Sequence, residues 1–476
     1  MKKIISKISF IAIFTMLFTS CEDNLDQIPF DSFGTDAAYV SAQDFENGVR
    51  GVYLQLTSGS YYGGLLLSVP DVASDNTTFS QYGRGTKDQY HNWTYNPSSQ
   101  NLSGLYNQAY FTIYSANLVL AYAESFEGET KAEIVAELKA LRALAHFDIV
   151  KNFGKIPTQS GDANGSLGIA YVTEADPNIQ PSRETVGAVY TKIVQDLLDA
   201  RADIAETSEP GRLNKEAVNL LLSRVYLYMG EWQNAIDAAN QVTTPVAPRS
   251  SVVGVWEDRN QDGLVFYIPN ESADNNIGVQ WSQGSLNQLT PEYVASYGLF
   301  ITYANDDIRK EAYIAPATAG GVSVNAIKKL LGRYDNSTGA IVADGVVDFK
   351  IFRAAEAYLN KAEALYNLGQ EGPARVALDV VRTKRYTSPP SGETGNALRD
   401  AIRLERRLEF AFEYQRFYDV KRWGLGFSRE GFGDKADGSG IPSIVQNLPA
   451  GSYKFQFPID QSILDRNPNI VQNPGY

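Results

Sequence analysis

Between residues 352 and 368, small and large apolar side chains recur three and four positions apart. Ala354, Ala355, Ala357, Ala362 and Ala364 interleave with Tyr358, Leu359, Leu365 and Tyr366, a spacing that lines them along one face of an α-helix. Gly369 supplies a stop, because glycine tolerates the left-handed backbone that ends a helix. A second helix is predicted from about Pro373, suited to a first helical turn, through Ala374, Val376, Ala377 and Val380. The stretch 216–239 repeats the pattern. Ser223 and Ala362 stand seven residues before Gly230 and Gly369, and Ala235 and Ala374 five residues after. Two helical hairpins, 216–239 and 351–381, are therefore expected, and the rest of the chain is read around them.

Around the first hairpin, Leu222, Ser223, Tyr226, Gly230, Trp232 and Ala235 are similar to a tetratricopeptide repeat, where small residues sit at close helix crossings. Two unrelated hairpins are the alternative, but they leave the matched spacing unexplained. Further helices are predicted at 36–56, 105–125, 132–153 and 183–205. From Gly59 to Asn101 the pattern breaks into Gly, Ser, Asn, Asp, Tyr and Thr, predicting a long loop of the kind that carries function. Residues 155–181 read as a loop, and 243–291 as non-helical with a strand at 264–268. Gly230 and Gly369 lie 139 positions apart, so the hairpins are not a tandem array and the intervening insert must fold back. The expected fold is mainly α: a tetratricopeptide-like scaffold of helical pairs (about 36–245 and 345–425) with loop-rich regions (about 59–101 and 243–345) and minor β.

Charge and composition narrow the chemistry. A net charge of −13 excludes the basic field that nucleic acid requires. His91 and His146 are the only histidines, which leaves almost nothing for histidine metal sites or Ser-His-Asp catalysis. Lys2, Lys3 and Lys7 precede the short apolar stretch 8–18, the pattern of a signal peptide over residues 1–20. It runs into Cys21, the only cysteine. The junction resembles a bacterial lipobox, with Phe18 where Leu or Val is usual, and the resemblance implies lipid attachment at Cys21. A free thiol is the alternative. Asp258, Asn260, Asp262 and Gly263 match the first half of a calcium loop, but Pro269 occupies the position of the bidentate Glu. A structural calcium, the one cofactor considered, stands beside the plain Asn/Asp/Gly turn.

Downstream, the charged run Glu405-Arg406-Arg407-Leu408-Glu409-Phe410-Ala411-Phe412 leads into Glu413, Arg416, Asp419, Val420, Arg422, Trp423 and Gly424. Such alternation of acid, base and aromatic residues predicts a partly buried Arg–carboxylate network. Phe457-Pro458-Ile459, Asn467-Pro468-Asn469 and Gln472-Asn473-Pro474-Gly475-Tyr476 close the chain. With Phe352-Arg353-Ala354-Ala355-Glu356-Ala357-Tyr358 and Ala362-Glu363-Ala364-Leu365, these runs resemble the RagB/SusD family of surface lipoproteins. The resemblance extends back through Leu141-Arg142-Ala143 to Pro157, through Trp93 to Asn117, and to the lipobox. It therefore covers essentially the whole mature chain, 21–476, as one SusD-like domain.

The resemblance implies a job. Such proteins cap a SusC-like TonB-dependent outer-membrane transporter and hold oligosaccharides, or in some cases peptides, for import. They are not enzymes, and they are anchored by lipid at the surface of a Gram-negative outer membrane. Sugars are held by aromatic faces and a few oriented polar groups. Trp93, Trp256 and Trp281 fall in loop-like segments, where local packing is the competing account of each. Some family members place ligand contacts in the loop before Trp93 and in the middle insert. By position this points to Trp93, Tyr82, Arg84, Asp75 and Asn96, with Trp281 and Tyr297 opposite. Glycoside hydrolysis would need a special carboxylate pair, and none is marked. A scaffold that binds only proteins is the third reading.

Overall fold

The computed structural model describes residues 38–99, 101–271, 276–285 and 288–476. The predicted signal peptide and Cys21 lie outside the described residues. Seven of the helices build the first part of the scaffold: α1 (Ala42–Leu56), α2 (Leu65–Val72), α3 (Leu102–Ala123), α4 (Lys131–Phe153), α5 (Val186–Asp203), α6 (Lys215–Met229) and α7 (Trp232–Ala239). The second part comprises α8 (Ala354–Asn367), α9 (Glu371–Arg382), α10 (Gly395–Glu409) and α11 (Arg416–Arg422). The first helix begins at Ala42, after the non-helical residues 38–41. Ser41 caps α1, its hydroxyl accepting the Asp44 N–H while the Asp44 carboxylate accepts the Ser41 N–H.

Both hairpins form, and for the same local reason. Gly230 (φ 77°) and Gly369 (φ 74°) take the left-handed conformation. In each, the next residue donates its N–H to a carbonyl five positions back: Glu231 to Tyr226 and Gln370 to Leu365, both at 2.9 Å. This double closure of the helix end is the Schellman motif. Ser223, Ala235, Ala362 and Ala374 are all fully buried, and the Ser223 hydroxyl donates to the Ala235 carbonyl at 3.0 Å across the α6–α7 crossing. Helix α7 packs against α8, so the two pairs stack although the insert separates them in sequence. Gly230→Val and Gly369→Val should each destabilise by about 1–3 kcal/mol through backbone strain. The Gly230 variant should lose more, because its Cβ would stand 3.2 Å from the Thr158 methyl whereas Gly369 faces open space. Urea unfolding checks this, and two unchanged midpoints would refute it.

Three elements correct the sequence reading. Residues 351–353 are not helical. They end strand β6 (Phe349–Arg353), which pairs antiparallel with β2 (Leu264–Ile268), Phe352 facing Phe266; bulky residues at the N-terminal edge prefer the pleated ladder. The stretch 59–101 is not one loop. It contains α2, whose Leu66, Leu67, Val69 and Val72 are buried, and strand β1 (Thr77–Phe79). Residues 243–291 include a short helix, Val252–Trp256. The insert contributes β3 (Tyr293–Ala295), β4 (Ile314–Ala319) and β5 (Val322–Ile327), which with β1 form an antiparallel sheet in the order β1-β3-β5-β4.

The charged run 405–422 forms a buried network. Glu409 receives Arg353 at 2.7 Å, Arg385 at 2.8 Å and Arg309 at 3.2 Å. Glu363 pairs with Arg422 at 2.5 Å and Glu356 with Arg224 at 2.5 Å. Burial alone would raise the Glu409 carboxyl, but Arg385, Arg353 and Arg309 hold it well below the usual range. Asp71, at the end of α2, accepts the backbone N–H groups of Phe412 and Tyr414 at 3.3 and 2.6 Å. Those two residues carry positive φ angles of 66° and 57°, so Asp71 stabilises an otherwise unfavourable turn between α10 and α11.

Candidate functional site

Pairing of β1 with β3, Thr77 opposite Ala295 and Phe79 opposite Tyr293, joins the two loop-rich regions. Just before β1, the Asp75 carbonyl accepts the Ser296 hydroxyl at 2.8 Å, and the Asn76 carbonyl accepts the Ser296 N–H at 2.9 Å. Tyr297 opens the next short helix, Tyr297–Thr302, which Ser296 caps. Asp75 and Tyr297 thus line one narrow cleft, closed on its other side by residues 428–432 and Ser443.

The cleft has one aromatic wall. Tyr297 meets Phe432 edge-on, ring centroids 4.9 Å apart, and packs over Gly438, where a Cβ would fall 2.5 Å from the ring. Around this wall stand Thr78, Ser428, Arg407 and Glu430. Arg407 is oriented from α10 by bonds to the Asn76 side chain at 3.1 Å and the Asp75 carbonyl at 3.0 Å. Glu430 is exposed and has no ion pair among the described residues. Asp75 differs: Arg416 grips both its carboxylate oxygens at 2.8 Å. Burial would raise its carboxyl, but Arg407 and Arg416 hold it well below the usual range. It fixes the floor and is a poor proton donor. An aromatic face with hydroxyls, one guanidinium and one free carboxylate suits a polyhydroxylated ring better than bond-breaking chemistry.

Of the seven residues the resemblance suggested, only Asp75 and Tyr297 meet here. Trp93 is corrected: it is buried, its indole N–H donating to the Ala73 carbonyl at 2.8 Å, with Arg429 4.0 Å above the ring and Phe427 stacked nearby. Trp281 is also core, 1% exposed and packed edge-on against Phe412. Tyr82 packs against Gly320 beside the β3–β5 sheet. Arg84 is bound to the buried carboxylate of Glu292. Asn96 closes its own turn, its side chain accepting the Ser98 N–H at 2.9 Å. Trp256 is buried too, with Lys329 4.3 Å over its ring. Loop placement did not mean exposure for these tryptophans, because the loops themselves are packed into the core.

The calcium-like string Asp258, Asn260 and Asp262 closes a turn. The Asp258 carboxylate is taken by Lys350, by Arg333 at 3.1 Å and by the Asp348 N–H at 2.8 Å. The Asn260 side chain accepts the Asp262 N–H at 3.1 Å. Among the described residues no cluster of His, Cys, Asp or Glu could hold a metal. The cleft residues that sequence reasoning missed are Thr78, Arg407, Ser428, Glu430 and Phe432. A signal existed in the glycine-rich stretch 424–440, where Gly438 lets the backbone approach the Tyr297 ring closely.

Comparison with known proteins agrees with this architecture. The model of the SusD family matches residues 309–476, and one described as starch-binding associating with outer membrane matches residues 43–227. SusD-like protein P2 of Formosa agariphila is 24% identical, the match covering 99% of each chain. Starch-binding protein SusD of Bacteroides thetaiotaomicron is 24% identical over 80% of each. The crystal structure of a SusD superfamily protein from Bacteroides thetaiotaomicron superposes with a TM-score of 0.78 at 25% identity, covering 91% of this chain and all of that one. With a tetratricopeptide-like helical scaffold throughout and both of its parts matched, the chain belongs to the RagB/SusD family.

Proposed function

We infer that this chain binds a glycan across the mouth of the cleft between Asp75 and Tyr297, whose volume of about 40 Å³ admits only the edge of a sugar ring, and passes it to a SusC-like TonB-dependent transporter. The observation that carries the reading is the partly exposed aromatic wall of Tyr297 and Phe432, flanked by an oriented guanidinium and a free carboxylate. Starch binding in a relative's name and in the matched family description supports a sugar ligand. Lipid on Cys21 would hold the protein at the outer membrane, with the cleft facing the medium. The role is capture, not turnover, because Asp75 is tied up by two arginines and Glu430 is left as a single free acid where glycoside hydrolysis needs a pair. No helix among the described residues is long and apolar enough to cross a membrane, so lipid or a partner would have to supply the attachment.

A glycan array on the soluble chain from Glu22 onward, followed by calorimetric titration, tests this. Tyr297→Ala should weaken binding of the best array ligand by about thirtyfold, equivalent to about 2 kcal/mol for a lost aromatic anchor. Its unfolding midpoint should move little, because Tyr297 is only partly buried. Unchanged affinity in a folded Tyr297→Ala protein would move the site elsewhere.

A further inference from the structure

A second, larger cavity of about 300 Å³ opens between the two helical hairpins and shares no residue with the cleft. Trp232 comes from the start of α7, Glu363 and Tyr366 from α8, Arg399 and Arg403 from α10, and Trp423 from the end of α11. Its charges are unbalanced. Arg399 and Arg403 are four residues apart on one helix face, where like charges disfavour each other. Among the described residues Arg399 is held only by Asp400, at 2.9 Å, and Asn396, at 3.1 Å, both at the surface. Arg403 lies 4.9 Å over the Trp423 ring, half-buried, and has no hydrogen bond or ion pair to a carboxylate among the described residues. The one acid in the wall, Glu363, acts on it through space but makes no bond to it. Both Glu363 oxygens already accept Arg422, at 2.5 and 2.6 Å, and one also accepts the Trp423 indole N–H at 2.7 Å.

A half-buried guanidinium with no acid bonded to it among the described residues, in a chain of net charge −13, leaves its donors open to an outside anion. The fork of Arg403 matches a carboxylate bidentately, and the cation–π contact with Trp423 steadies it. Trp232 and Tyr366 are partly exposed, with no ring or cation stacked on them among the described residues. Their faces are suited to the C–H surface of a pyranose ring. The volume is at the lower end of small-ligand pockets, and helices wall it on several sides, which suits one or two sugar rings better than an extended acidic peptide. We propose that this cavity is a second binding site, specific for a carboxylate-bearing sugar, a hexuronate, with Arg403 gripping the carboxylate.

The test is calorimetric titration of the whole chain from Glu22 with digalacturonic acid, with its carboxyl-reduced neutral counterpart, and with a triglutamate peptide. Wild-type protein should bind digalacturonic acid saturably and more tightly than the neutral disaccharide. Arg403→Gln should weaken it at least about tenfold, as expected for loss of a charge-assisted pair, with an unchanged melting temperature. Trp232→Ala should weaken digalacturonic acid and the neutral disaccharide alike. Equal affinity in Arg403→Gln, or no saturable binding by wild type at millimolar ligand, would overturn the proposal. Tighter, Arg403-dependent binding of triglutamate would overturn the assignment to sugars. Because Arg403 and Trp232 lie outside the cleft, these outcomes do not depend on the Tyr297 result.

Discussion

Glu409→Ala should destabilise the protein by about 3–5 kcal/mol, the range for removing one partner of a buried ion pair. The carboxylate is the shared acceptor of Arg353, Arg385 and Arg309, and all four side chains are buried. Removing it leaves three guanidinium groups in the interior, with only Glu405, Glu413 and Asp307 to balance them. A loss of that size approaches a typical domain's whole stability, so the variant should be largely unfolded or melt many degrees lower. Glu409→Gln keeps the shape and should show most of the loss, which separates charge from packing. The pH dependence follows in sign. A carboxyl held below its unfolded value contributes stability above about pH 4, and that contribution disappears on further acidification. Wild type should therefore lose stability below about pH 4 more steeply than Glu409→Gln. Urea midpoints for the two proteins that coincide at neutral pH would show that the network adds nothing.

Trp93→Ala should also be severe, at about 3–5 kcal/mol for a large buried aromatic side chain. The indole is 5% exposed, bonds the Ala73 carbonyl and carries Arg429 on its face. Arg429 in turn donates to the carbonyls of Ser74, Val72 and His91, which sets the backbone that leads into Asp75. Cleft affinity should fall only as far as the fold loosens, whereas in Tyr297→Ala affinity should fall with little change in melting. Trp93→Phe keeps a ring over Arg429 and should recover part of the stability. Measuring melting and titration together decides the matter. An unchanged melting temperature with lost glycan binding would make Trp93 a stacking platform after all.

Helical hairpins were legible because everything that makes them is local. The periodicity of Ala354 to Tyr366, the left-handed stops at Gly230 and Gly369, and the small residues at the crossings all act within one or two turns. The Arg–carboxylate network was legible in kind, since so many charges beside aromatics on one helix must be paired if buried. Partners were not. Glu409 meets Arg309, Arg353 and Arg385 from three separate elements, and no spacing in the chain announces that.

The site divides the same way. Composition and motif order pointed to a sugar-binding surface protein, and position offered seven residues, of which the structure brings Asp75 and Tyr297 together in one cleft. Trp93 and Trp281 were misplaced because burial is a property of the packed whole, whereas Tyr82, Arg84 and Asn96 keep exposed surface but are engaged outside the cleft, by Gly320, Glu292 and Ser98. A tryptophan in a polar stretch covers itself when the loop folds onto Phe427 or Phe412. By itself, then, the sequence determined the helical scaffold, the family and the two regions that would face each other, because short-range periodicity and caps specify them. Only the tertiary structure decided which side chains line the cleft. That choice rests on the β1–β3 pairing and on the packing of Phe432 and Gly438 against Tyr297, contacts between segments far apart in the chain whose energies exist only once the core has closed.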